Sequence, residues 1–159
     1  MMGDEAAQLV TFVPHRSGGF DSMTTSSPVA SPARPSIRGT VSILACRDIE
    51  ATIAFYAEKL GFMREWTWGE PPTDGGIRRD EVQLFLMANA DLAARAAGSE
   101  VMLFVSGVDA LYAEHRARGA PISAELRDQP WGLREYRVTD PQGYVLRFAE
   151  GIARAREHE

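Results

Sequence analysis

Asp128-Gln-Pro-Trp-Gly-Leu-Arg-Glu-Tyr-Arg-Val-Thr-Asp-Pro-Gln-Gly-Tyr-Val-Leu-Arg-Phe148 is punctuated like a loop followed by a hairpin. Alternation of apolar and polar residues predicts one strand over Leu133 to Thr139 and another over Val145 to Phe148, joined by a tight Asp140-Pro-Gln-Gly143 turn. Trp131 lies between Pro130 and Gly132, in turn-like chain, which sets an aromatic at the mouth of a small sheet.

Working upstream, Pro121 to Leu126 reads as a further strand. Before it, Leu111, Tyr112, His115 and Ala117 follow helical spacing, with Asp109 expected to cap the helix and Gly119 to end it. Val101-Met-Leu-Phe-Val105 is an apolar strand. The same order stands earlier in the chain. Val41 to Cys46 is a strand, and Asp48 caps a helix carrying Thr52, Ile53, Phe55, Tyr56 and Leu60 that Gly61 closes. Met63 to Trp68 alternates as a strand, Glu70 to Gly76 is a loop, and Ile77 to Asp80 and Val82 to Met87 are strands. Asp91 to Ala97 reads as a helical turn in a linker. Asp48 and Asp109 are 61 residues apart, and each helix carries Tyr-Ala-Glu (Tyr56 to Glu58, Tyr112 to Glu114). A duplicated βαβββ module is the economical account. The fold class is α+β, with two βαβββ modules forming curled mixed sheets around a cleft. The first module spans 39–90, the second 99–150, and together they make one domain over 39–150. Residues 151–159 form a C-terminal tail.

Residues 1–38 read as a tail. From Ser17 to Ser36 the chain is dense in Gly, Ser, Thr, Pro and Ala and has little to bury. It is either disordered or an arm that docks a partner through Leu9 to Val13; Met23 is a candidate start. The 159 residues carry a net charge of −5. That balance, with no basic run, argues against nucleic acid as a partner. No apolar run approaches the roughly 20 residues that cross a bilayer, so no membrane association is expected. Asp4 and Glu5 stand where a secretory leader would be positive, which makes a cytoplasmic location the default. Cys46 is the sole cysteine; in an apolar strand it reads as a small buried hydrophobe.

Four stretches carry a resemblance: Arg47-Asp-Ile-Glu…Phe55-Tyr…Lys59-Leu-Gly-Phe62, Arg79-Asp-Glu-Val-Gln-Leu-Phe-Leu86, Gly107-Val-Asp-Ala-Leu-Tyr-Ala-Glu114, and Gln129-Pro-Trp-Gly-Leu-Arg-Glu135…Asp140-Pro-Gln-Gly143. In order and spacing, from about Val41 to Glu150, they resemble the bleomycin resistance proteins. These belong to the glyoxalase/bleomycin resistance protein/dioxygenase (vicinal oxygen chelate, VOC) superfamily. The enzymes of that superfamily hold a divalent metal with His, Glu or Gln side chains facing the cleft. The resemblance places their ligand positions on Val41, Met102 and Arg147, none of which binds a hard cation. The three histidines fall elsewhere: His15 in the tail, His158 near the C-terminus, and His115 on a helix facing away from the hollow, as a surface or helix–sheet contact. Gln83 is a lone amide. No metal and no cofactor are expected.

What binds instead is read from the aromatics and charges. Trp66 and Trp68 are two apart and share one face of a strand. The resemblance implies that Trp66 and Trp131 line a groove between subunits and stack on a planar ligand, worth about 1 kcal/mol per face beyond the buried area. Glu65, Glu70, Asp74, Asp80 and Glu81 form either a solvated face or a field for a cationic ligand, screened beyond roughly 8 Å. Arg147 facing inwards needs a partner: either a carboxylate of the facing module or an anionic group of a ligand. Two departures stand out. Ser42 replaces the proline that bleomycin binders often carry in the first strand, and the Glu70–Gly76 loop is long.

The resemblance therefore implies a metal-free small-molecule binding protein of the bleomycin resistance type. It would be a homodimer whose groove sequesters a flat, cationic ligand, bleomycin-like or another aromatic compound, with a role in antibiotic resistance. The ligand-binding residues would be Trp66, Trp68, Trp131, Glu65, Glu81 and Arg147, with none catalytic. The alternatives are a glyoxalase- or dioxygenase-like metal-dependent enzyme, that is, a lyase or dioxygenase, and a non-catalytic structural or regulatory module.

Overall fold

A computed structural model describes residues 35–37 and 39–152. The expectations for Leu9 to Val13, His15, Met23, His158 and most of the two tails lie outside the described residues. The chain divides into two units, Met1–Ile37 and Arg38–Glu159, and every element described belongs to the second. In order these are β1 (Ser42–Cys46), α1 (Ile49–Leu60), β2 (Met63–Trp68), β3 (Asp74–Arg79), β4 (Val82–Ala88), α2 (Ala90–Ala96), β5 (Glu100–Phe104), α3 (Val108–Ala117), β6 (Ile122–Asp128), β7 (Leu133–Thr139) and β8 (Val145–Gly151). They make two four-stranded mixed sheets, ordered β1-β4-β3-β2 and β5-β8-β7-β6. In each, the first strand runs parallel to the last and the other pairs are antiparallel. This is the duplicated βαβββ arrangement of the α+β class, with α2 linking the copies.

Helix α1 starts where Asp48, in extended backbone, accepts a 2.7 Å hydrogen bond from the amide of Ala51. It stops at Gly61, whose φ of 71° is open to a residue without a side chain. Ile49, Thr52, Ile53, Tyr56 and Leu60 recur every three or four residues and are buried. Helix α3 begins differently from expectation. Its N-cap is Gly107, and Asp109 lies in the first turn, paired with Arg134 at 2.8 Å. The free amides of Gly107 and Val108 donate instead to Glu150, at 3.0 and 2.9 Å, from the end of β8. A carboxylate from a distant strand thus does what Asp48 does locally. The helices are therefore offset by 59 residues, Ile49 against Val108, and not by the spacing of the two aspartates.

Within each sheet the register assigns the faces. Leu44, Ile77, Leu84 and Leu86 in the first, and Leu103, Tyr136, Val138, Leu146 and Phe148 in the second, belong to one buried cluster with the helices. The residues between them point into the opposite, concave face. Strand β3 begins at Asp74, earlier than expected, and takes in Gly75 and Gly76. At those two positions the ladder runs on although β-propensity is poor.

Two junctions bind the modules together. Tyr56 Oη donates to Asp140 at 2.8 Å, and Tyr144 Oη accepts the amide of Ala45 at 3.0 Å. On the other side, Arg79 bonds the carbonyl of Leu60 and both oxygens of Glu114, and lies 3.3 Å from His115 Nε2, whose Nδ1 is 2.8 Å from Tyr136 Oη. His115 is fully buried, a helix–sheet contact.

Candidate functional site: two concave faces

In the first sheet, pairing skips Glu65: Arg64 faces Ile77 and Trp66 faces Gly76. This bulge turns Glu65 and Trp66 towards the same concave side. The Trp66 indole lies across Gly76 and meets Phe85 edge-on at 5.1 Å between centroids. A Cβ at Gly76 would come within 2.2 Å of Trp66 Nε1, so the glycine is what gives the indole its place. Trp68, one pleat further and opposite Asp74, is 73% exposed. Ile43, on β1, is also exposed. Glu65 is gripped by Arg78 Nε and Gln83 Nε2. Burial pulls its carboxyl up, but those bonds outweigh it and hold the group below the usual range. The negative potential expected of Glu65 is thus offset on the spot by Arg78. Glu81 is not brought to this face: it sits in the Asp80-Glu81 turn, at the opposite end of the β3–β4 hairpin from Trp68.

In the second sheet, Arg147 occupies the middle of the concave face. Its Nη2 makes two bonds to Glu135, 2.7 and 2.9 Å, and its Nη1 donates to Glu100 at 3.0 Å. Arg137 joins the same carboxylates at 3.5 and 3.7 Å. Glu135 is only 1% exposed, and two guanidiniums balance two carboxylates. Burial disfavours the Arg147 charge, but its partners outweigh that and hold the proton more firmly. The partner expected from the facing module comes instead from its own sheet, because β7 and β5 both flank β8. Trp131 stands 56% exposed, with the Arg147 guanidinium 6.0 Å from its ring centre, near the outer limit of a cation–π contact.

Glu100 and Arg137 were missed as site residues. Their signal is the register: Arg137 pairs with Arg147, and Glu100 heads the strand beside it.

The superfamily's metal does not fit these residues. Met102 pairs with Arg147, and counting from the strand pairs makes Ile43, rather than Val41, its counterpart in the first module. Both are apolar, and the guanidinium takes up the nearby carboxylates. Among the described residues no group of three or more His, Cys, Asp or Glu side chains is placed to hold a metal ion.

Two curled βαβββ sheets, each presenting a tryptophan at an open concave face, define a class of paired-module proteins. Residues 37–148 match the family model for the Glyoxalase/Bleomycin resistance protein/Dioxygenase superfamily, and the chain belongs to that superfamily. Among solved structures, it resembles the bleomycin-binding protein from bleomycin-producing Streptomyces verticillus in complex with copper(II)-bleomycin. That match has 24% identity and a TM-score of 0.61 over 74% of this chain and 99% of the other. The bleomycin resistance determinant encoded on transposon Tn5 matches at 22% identity and TM-score 0.62, covering 72% and 98%. A glyoxalase-related enzyme from Clostridium phytofermentans matches at 22% and 0.63, covering 76% and 99%. At these identities the likeness shows the fold. A search of curated proteins finds no match.

Proposed function

We propose that this protein is a metal-free binder of the bleomycin resistance type, holding a flat, cationic small molecule unchanged in the groove of a homodimer. One observation carries the reading: Trp68 and Trp131 stand open at the concave faces, while the spot a metal would need is filled by a self-neutralised Arg147–Glu135–Glu100–Arg137 cluster. An indole left in water gains by being covered. Exposed Ile43 and Met102 on the same faces support pairing with a second copy, which would bring a first-module face against a second-module face. The net charge of −5 favours a cation over an anion. A cytoplasmic location and a role in drug resistance belong to this reading.

Titration with copper-loaded bleomycin, followed by tryptophan fluorescence, tests it. The expected result is saturable quenching at roughly tens of micromolar ligand or below, with Trp131→Ala and Trp68→Ala each weakening binding by about fivefold. Unchanged fluorescence with bleomycin and with other cationic aromatic compounds would sink the proposal, as would a monomer by light scattering in the presence of ligand.

A further inference from the structure

The two junctions between the modules are built to the same plan but finished differently. Tyr56 and His115 are each the eighth residue of their helix. Tyr56 meets Asp140, and His115 meets Arg79. Ile77 pairs with Leu84 as Val138 pairs with Leu146. Two residues outward, Arg79 and Asp140 correspond, and so do Val82 and Tyr144. Leu44 pairs with Leu86 as Leu103 pairs with Phe148, so Ala45 and Phe104 correspond.

At the first junction the long Asp140–Tyr144 turn folds in. Tyr144 is buried, and its hydroxyl takes the outward amide of Ala45. At the second, a two-residue turn ends in Val82, far too short to reach. There the chain leaves a cavity of about 690 Å³, lined by Phe62, Val82, Leu103, Leu111 and Phe148 among others. Phe104 borders it and is 71% exposed. The amide of Val105 bonds Ala149, towards β8. By the alternation of a strand, the Phe104 amide points the other way, off the sheet edge.

We propose that this cavity binds a small phenolic molecule, its ring standing where Tyr144 stands at the twin junction and its oxygen receiving the Phe104 amide. The size fits a ligand, since binding cavities run roughly 300–1,000 Å³. The lining sets the charge. Asp80, Glu81 and Glu114 border the space against one guanidinium, Arg79, which Glu114 already holds. A phenol carrying an ammonium group is therefore preferred over one carrying a carboxylate. The site is separate from the Trp68 and Trp131 faces.

Tyramine is the probe, with phenethylamine (no hydroxyl) and 4-hydroxyphenylacetate (anionic) for comparison, read by calorimetry and ligand-observed NMR on the full chain. The expected order is tyramine first, each comparison compound weaker by about fivefold or more. Val82→Tyr rebuilds the missing tyrosine and is expected to abolish binding. Ala110→Trp fills the space from an exposed helix position and serves if Val82→Tyr fails to fold. Trp131→Ala is expected to leave tyramine affinity unchanged, which separates this site from the proposed drug groove. Absence of tyramine binding at millimolar concentration, affinity untouched by the filling variants, or affinity lost with Trp131→Ala would each overturn the proposal.

Discussion

At Gly76 the structure has room for a hydrogen and nothing larger, because the Trp66 indole already fills that space. Gly76→Ala must push the ring off the sheet. We predict a loss of about 1–3 kcal/mol in urea denaturation, with a red-shifted tryptophan emission that reports the displaced indole. Arg147 matters for a different reason. Its partner Glu135 is buried and would keep only Arg137, 3.7 Å away, as counter-charge, and a buried carboxylate short of counter-charge is costly. Arg147→Met is expected to lower stability by about 3 kcal/mol, and adding Glu135→Gln should recover part of it. If the single variant is as stable as the parent, the cluster is not the neutral filler of that face. Glu65, by contrast, is tied down by Arg78 and Gln83 on the surface of its sheet, where such pairs contribute little.

The two helices show how similar elements can be started by different means. The cap on α1 is local, so Asp48→Ala should cost about 1 kcal/mol, measured by thermal melting. The cap on α3 is a strand residue, Glu150, and its mutation to Ala is expected to lower the melting temperature while Asp109→Ala leaves those amides satisfied. Tyr56→Phe tests the link between α1 and the β7–β8 turn. It removes the donor of a 2.8 Å bond to Asp140, a carboxyl that burial pushes above its usual range, and should cost about 1–2 kcal/mol in denaturation. The elements themselves were largely legible. Alternation and helical spacing placed α1, β2 and β7, since those signals are local. They failed where long-range contacts decide: β3 extends through two glycines because β2 and β4 pair with them on either side, and α3 takes Gly107 as its cap because Glu150 is folded against it.

Across the whole molecule, the second junction carries a pH dependence. Burial, helped by the Arg79 charge, lowers His115 from 6.5 to about 4. The folded protein therefore holds this ring neutral while the unfolded chain protonates it. Stability is full above about pH 6.5 and falls as pH drops towards 4, by roughly 3 kcal/mol in all. Glu114, held low chiefly by its hydrogen bonds from Arg79, adds a loss of the same sign further down, in the carboxylate range, and Asp140, raised by burial, opposes it. Urea midpoints measured across that window should slope for the parent and flatten for His115→Gln. A flat parent profile would contradict the buried neutral histidine.

By itself the sequence determined the duplicated βαβββ order, because strand period and helix spacing are written locally, and its four motif stretches carried the resemblance to the superfamily whose model the chain matches. Only the tertiary structure decided which charges meet. It took Arg147's partners from its own sheet, moved Glu81 away from the tryptophans, and left the space beside Val82 open where Tyr144 closes its twin. Those outcomes depend on which strands lie side by side and how far a turn reaches, and neither is fixed until the chain has folded.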